Sequence, residues 1–249
     1  MFNLSENEKR TIERIEEEQM RQIFQTEKGC PLHIMYLDAG IIPARFLIMG
    51  NKVNFLHYIL QEDENSLLLK VLEAQKDNPL KNDWNSEVRS ILKSLDINLT
   101  YEEIRLIKKT SFKKLVRKKT EALAFKELTS KQKPDTKGSL IKYEETIQIA
   151  DYLLPNKILE LEDQREIFRI RSKTNRLPSN WGETILCETA CGQNLNNEHI
   201  LNCPILNGHE SQNLELNMIY NGNVEEKMKV LHAFRNNMTI RQKYLTQDS

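Results

Sequence analysis

Long apolar runs are missing from this chain. No stretch reaches the roughly 18 residues a membrane span requires. The first residues, MFNLSENEKR, carry no apolar segment of secretory type. The expectation is therefore an intracellular protein, nuclear or cytoplasmic, with no membrane partner. Glycine (8) and proline (7) are scarce for 249 residues, which argues against a sheet of many short strands joined by tight turns. Aromatics are only 7% of the chain, and mean hydropathy is −0.59. What remains is rich in Glu, Lys and Leu, a balance that favours helix.

The marks of common catalytic sites are also missing. There is no G-x-x-x-x-G-K-[ST], no G-x-S-x-G, no H-E-x-x-H and no pair of adjacent aspartates. A two-metal polymerase site needs close carboxylates on strands, and the pattern supplies neither. No enzymatic activity is expected.

Cysteine is sparse but clustered. Of Cys30, Cys187, Cys191 and Cys203, the last three lie within seventeen residues. In a reducing compartment such clustering serves a metal or reactivity rather than disulfides. Cys187-x3-Cys191-x7-His199-x3-Cys203 supplies three thiolates and one imidazole, a complete tetrahedral set for a structural zinc ion. Four protein ligands leave no open position for water. Gly192 directly follows the second cysteine and permits a tight turn. His209 is a poorer ligand by spacing. Cys30 reads as a small buried hydrophobe.

Charge is balanced overall, with 36 basic and 36 acidic residues, but it is segregated. Residues 105–142 hold 13 Lys/Arg against 3 Asp/Glu, whereas residues 143–170 hold 3 against 7. The densest part is Arg105, Lys108, Lys109, Lys113, Lys114, Arg117, Lys118 and Lys119, with no acid between them. Phe112, Leu115 and Val116 supply a packing face, which turns the cations outward. Such a surface can track phosphates or serve only as a solvated helix face.

Helical patterns fill the rest. Ser5-Glu-Asn-Glu8 reads as a capping box opening a helix to about Gln25, ended by Gly29 and Pro31. After Pro43 a helix apolar on two faces includes Phe46, Val53, Leu56 and Leu60, and His57 on it reads as a hydrogen-bonded core histidine. Further helices follow around Leu67–Leu72 and Trp84–Leu95. Thr100-Tyr-Glu-Glu103 is a second capping box, with Leu99 and Ile104 at staple positions. Helices are also expected over about 111–132, 139–153, 160–174 and 224–244. Residues 133–138 read as a loop. Trp84 reads as packing, and Trp181 as packing or a stacking residue.

A family resemblance runs through these elements. Tyr36-Leu-Asp-Ala-Gly-Ile-Ile-Pro-Ala-Arg-Phe46 resembles a segment that follows the palm domain in LINE-type (non-LTR) retrotransposon reverse transcriptases. Asn54–Leu60, Glu62–Leu67, Gln75, Asn78-Pro79 and Asn82-Asp-Trp84 are similar to the continuation of that region. So are Ser111-Phe-Lys-Lys114 and Phe168-Arg-Ile-Arg-Ser172, and that family also closes with a CCHC zinc knuckle. The likeness extends from about Leu4 to Leu206. The chain departs from the pattern at Gly50-Asn51-Lys52, where the family has a basic pair, and in the three-residue spacing of its first cysteine pair. The resemblance implies a thumb and post-thumb region that holds RNA template or RNA/DNA duplex, without the polymerase or endonuclease active sites. The absent polymerase portion is one implied partner.

The expected fold is mainly α, a bundle of roughly eight helices with a small CCHC zinc knuckle before a C-terminal helix. The expected division is a helical region over 1–178, and the knuckle with the last helix over 179–249. The leading expectation of function is a nucleic-acid-binding fragment. The alternative is a helical protein-interaction scaffold derived from a retrotransposon remnant.

Overall fold

The computed structural model describes residues 5–26, 29–77, 80, 83–132, 141–154, 159–175, 177, 186–187, 191–203 and 215–247. The protein is mainly helical, with no strand among the described residues. Trp181, His209, the loop over 133–138 and the expected boundary at 178 lie outside them.

The chain divides into two compact units. One comprises Met1–Glu18, Ile41–Ser130 and Glu145–Ile147; the other comprises Gln19–Gly40, Lys131–Glu144 and Gln148–Ser249. This differs from a division at residue 178. The helices 161–171 and 224–247 share the second unit, because contacts group residues distant in sequence.

Helix α1 (Glu6–Phe24) begins at the expected capping box: Glu8 N donates to Ser5 Oγ at 3.3 Å, and Ser5 N donates to Glu8 Oε2 at 2.7 Å. The first unit is built on α3 (Ala44–Leu60), which packs against α4 (Leu67–Asp77), α5 (Trp84–Ser94), α6 (Tyr101–Leu106) and α7 (Lys109–Ser130). Its core joins Val53, Leu56 and Leu60 to Leu72, Val88, Leu92, Ile104, Phe112 and Val116. Each such side chain contributes about 1.5–3 kcal/mol on burial.

Local chemistry starts and spaces these helices. Asp83 caps α5, its Oδ1 accepting from Ser86 N at 2.6 Å. Thr100 and Glu103 form the second expected capping box, on α6. Gly50 faces α7 closely: a Cβ there would lie 3.1 Å from Thr120 Oγ1. His57 is buried, its Nε2 2.9 Å from the Ile107 carbonyl oxygen and its ring stacked on Phe112.

The second unit contains α2 (Leu32–Ala39), α8 (Leu161–Arg171), α9 (Asn197–Asn202), α10 (Leu216–Asn221) and α11 (Val224–Gln247). Helices α8, α9 and α10 each pack on α11. Gly40 closes α2 at φ +66°, and a Cβ there would meet the Ile149 backbone nitrogen at 2.5 Å. Both conformation and space therefore require glycine.

The structure differs from expectation between 141 and 153. Described residues up to 150 are not helical, and only a 3-10 turn, Asp151–Leu153, follows. The segment is held by tertiary bonds instead. Ala150 N donates to the Asp38 carbonyl oxygen at 2.8 Å, and the Tyr143 and Tyr152 hydroxyls donate to the Asp38 carboxylate at 3.0 and 2.5 Å. Three helices were not anticipated. Helix α2 is buried along most of its length, so it carries no amphipathic stripe. Helices α9 and α10 span six residues each, too few for a period to register.

Candidate metal centre and basic face

Local backbone geometry gathers the four expected ligands. Cys187 N donates to the Gln193 carbonyl oxygen at 2.8 Å, beside an antiparallel bridge between Leu186 and Asn194. These contacts bring the chain around Cys187 back past Cys191. Gly192 turns at φ +71°, with nothing within 4 Å of where a Cβ would stand; it is required for conformation rather than space. Asn196 then caps α9, its Oδ1 accepting from His199 N at 2.7 Å. His199 and Cys203 are four residues apart at the two ends of this short turn, so they share one side of it.

The ligand atoms of Cys187, Cys191, His199 and Cys203 all lie within 4.8 Å of one another. Zinc bond lengths place tetrahedral ligand atoms ~3.4–3.8 Å apart. The group can therefore close on a metal ion with small side-chain movements. Cys191 Sγ is already 3.2 Å from His199 Nε2. The other ring nitrogen, Nδ1, is 3.1 Å from Gln193 Oε1. An Nδ1–H donated to Gln193 leaves the Nε2 lone pair directed at the thiolates, the orientation a ligating imidazole needs.

Burial lowers the His199 pKa, which favours the neutral ring a metal requires. Cys187, His199 and Cys203 are buried, and Cys191 is half-buried. Within the same unit α9 is tied down by Asn237 Nδ2, which donates to the Ile200 carbonyl oxygen at 2.7 Å. Asn175 Nδ2 donates to Asn197 Oδ1 at 2.8 Å. Sequence reasoning missed Gln193 and Asn196. Asn196 was readable as an N-cap ahead of Ile200-Leu201; no pattern marks Gln193.

The basic stretch straddles α6 and α7. Arg105, Lys108, Lys109, Lys113, Lys114, Arg117 and Lys118 are exposed or half-buried, while Phe112 and Val116 are buried. Two members of the stretch are engaged: Arg117 bonds Glu121 at 2.7 Å, and Lys119 bonds Asp96 at 2.8 Å. Among the described residues, the other six have no ion pair.

Further polar residues of the segments singled out in the sequence have internal partners. Lys52, from Gly50-Asn51-Lys52, is 2% exposed and bonds Glu87 at 2.6 Å, which keeps it from any phosphate. Asp38 and Arg171 come from two such segments far apart in sequence. They form a buried ion pair, with Nη2 to Oδ1 at 3.1 Å and Nε to Oδ2 at 3.3 Å. Arg171 Nη1 also donates to the Ile219 and Tyr220 carbonyl oxygens. Burial opposes the Arg171 charge, but Asp38 and the adjoining tyrosines outweigh it and raise its pKa. Burial raises the Tyr152 and Tyr143 pKa values well above the usual tyrosine range, reinforced by Asp38. Both hydroxyls therefore stay protonated and serve as donors. Cys30 is buried, and burial pushes its thiol up to about 11, so it is inert.

In comparisons with protein-family models, curated proteins and solved structures, nothing matches this chain.

Proposed function

We propose that this protein binds nucleic acid through phosphates, using the Arg105–Lys119 face, and that Cys187, Cys191, His199 and Cys203 hold a structural zinc ion as a CCHC knuckle. The observation that carries the binding reading is the set of six cations, Arg105, Lys108, Lys109, Lys113, Lys114 and Lys118, that have no acidic partner among the described residues. A surface of this kind attracts a polyanion by counterion release, with little sequence preference. The convergence of three sulfurs and an imidazole nitrogen supports zinc, since this donor set suits a tetrahedral ion of intermediate softness. The order of sequence segments resembling LINE-type reverse transcriptases suggests RNA template or RNA/DNA duplex as the ligand. The chain would act as a thumb and post-thumb region that holds such a ligand, in the nucleus or cytoplasm.

The test is binding of zinc-loaded protein to labelled single-stranded RNA and to a primer-template duplex across a salt series. Affinity should fall linearly on logarithmic axes. Replacing Lys109, Lys113, Lys114 and Lys118 with Gln should reduce the slope by about 0.7–0.9 for each phosphate no longer neutralised. No binding at low salt, with protein folded and zinc present, would sink this reading. One observation favours the alternative of a protein-interaction scaffold: Leu67, Leu68 and Val71 of α4 are exposed, at 76%, 40% and 47%. Absence of nucleic-acid binding across the salt series, together with a defined protein partner, would support it.

A further inference from the structure

Helices α4, α5 and α6 border a cleft of about 360 Å³ within the first unit. Three cations line it, Lys76 of α4 with Arg89 and Lys93 of α5, against one acid, Glu102 of α6. Lys76 is paired with Glu102 at 3.6 Å. Arg89 and Lys93 are exposed and have no ion pair among the described residues. They stand four residues apart, on one side of α5. Arg89 lies 5.8 Å from the centre of the Tyr101 ring, which sets it at the cleft wall. Asp83, whose charge Arg89 also feels, already accepts from the Leu80 and Ser86 backbone amides at 2.8 and 2.6 Å.

Beside these charges the lining is apolar. Leu99 and Tyr101 are half-buried, and Leu92 and Ile97 are buried. Cations over an apolar wall suit a ligand with an anionic group and a flat body. Asn98 adds an acceptor: its Nδ2 donates to Asp96 Oδ1 at 3.2 Å, which leaves its own Oδ1 for an N–H edge. The cleft also adjoins the basic stretch at two points. Asp96, next to Ile97 of the lining, bonds Lys119 at 2.8 Å. Tyr101 and Arg105 are four residues apart on α6 and share one side of it.

We propose that this cleft takes one nucleotide of a single strand lying on the Arg105–Lys119 face, with its phosphate at Arg89 and Lys93 and its base against Leu99 and Tyr101. This site rests on the nucleic-acid reading of that face and adds strand selectivity to it. Every base has a flat apolar face and an edge that hydrogen-bonds, so the cleft needs no particular sequence. A duplex keeps its bases paired and stacked, and only an unpaired one can enter. The volume lies within the range of small-molecule sites, roughly 300–1,000 Å³.

The probes are AMP, adenosine, inorganic phosphate, a single-stranded oligoadenylate of eight nucleotides (about the span of a small single-strand site) and a blunt RNA/DNA duplex. Binding is followed by the methyl resonances of Leu92, Ile97 and Leu99 in the zinc-loaded full-length protein. AMP should shift these methyls and bind about tenfold more tightly than adenosine, which lacks the phosphate, or phosphate, which lacks the base. The single strand should give the same shifts at lower concentration, and the duplex should bind without them. Arg89→Gln combined with Lys93→Gln, both at exposed positions, should weaken AMP about tenfold. Equal binding of AMP and adenosine would overturn the proposal, as would unchanged AMP affinity in the folded double variant. If that variant does not fold, the comparison of AMP with adenosine decides alone. A single strand that binds at low salt without moving these methyls would overturn the proposal and leave the basic-face reading standing. Shifts with AMP but no affinity for the strand or the duplex would sink the basic-face reading, and with it the strand as the source of the nucleotide.

Discussion

Asp38 and Arg171 lie 133 positions apart, yet each is the other's main charge partner inside the second unit. Removing one partner leaves an uncompensated buried charge, which costs about 3–5 kcal/mol. Arg171→Met is therefore expected to lower stability by that amount in denaturant titration. Combining it with Asp38→Asn should recover part of the stability, since the remaining amide is neutral. Asp83 provides a pH-dependent case. The Ser86 backbone N–H holds its pKa below the ordinary 3.8. A carboxylate depressed on folding stabilises the protein fully above its unfolded pKa, and loses that effect as pH falls through the folded value. Wild-type protein should thus lose stability more steeply than Asp83→Asn below pH 3.8. Parallel acid-unfolding curves would refute this.

At the scale of elements, caps and ligands decide where short helices form. Thr100→Ala removes the side chain that accepts Glu103 N at 3.2 Å, and should cost about 1 kcal/mol. Helix α9 is six residues long, below the length at which a helix persists alone in water. It depends on Asn196, on the bond from Asn237, and in the proposed holo state on the ion. Equilibrium titration should give one zinc per chain, and Cys203→Ser should abolish tight binding; unchanged binding would exclude Cys203 as a ligand. The starts of α1 and α6 were legible because capping boxes are local chemistry. The non-helical path of residues 141–150 was not, because its bonds lead to Asp38, more than a hundred positions upstream.

For the whole molecule, the balance of 36 basic and 36 acidic residues conceals a charge distribution that function would use. Net charge alone predicts weak attraction to polyanions, whereas the cations clustered at α6 and α7 predict a salt-dependent one. The two compact units also predict unequal responses to metal removal. All four ligands belong to the second unit. Chelation should lower amide exchange protection in α9 and leave α3, α5 and α7 unchanged. Equal deprotection of both units would contradict this.

The sequence by itself determined the helical class, the Cys3His set and the basic stretch. Each rests on local period, short spacing or charge density, which need no distant partner. Tertiary structure alone decided that Lys52 is sequestered by Glu87 and that Lys119 is engaged with Asp96. It also decided that Asp38 and Arg171 meet, and that Gln193 orients His199. Those outcomes depend on contacts between side chains whose proximity no spacing encodes: burial and hydrogen bonding act through space, and the order of residues records them only after the chain has folded.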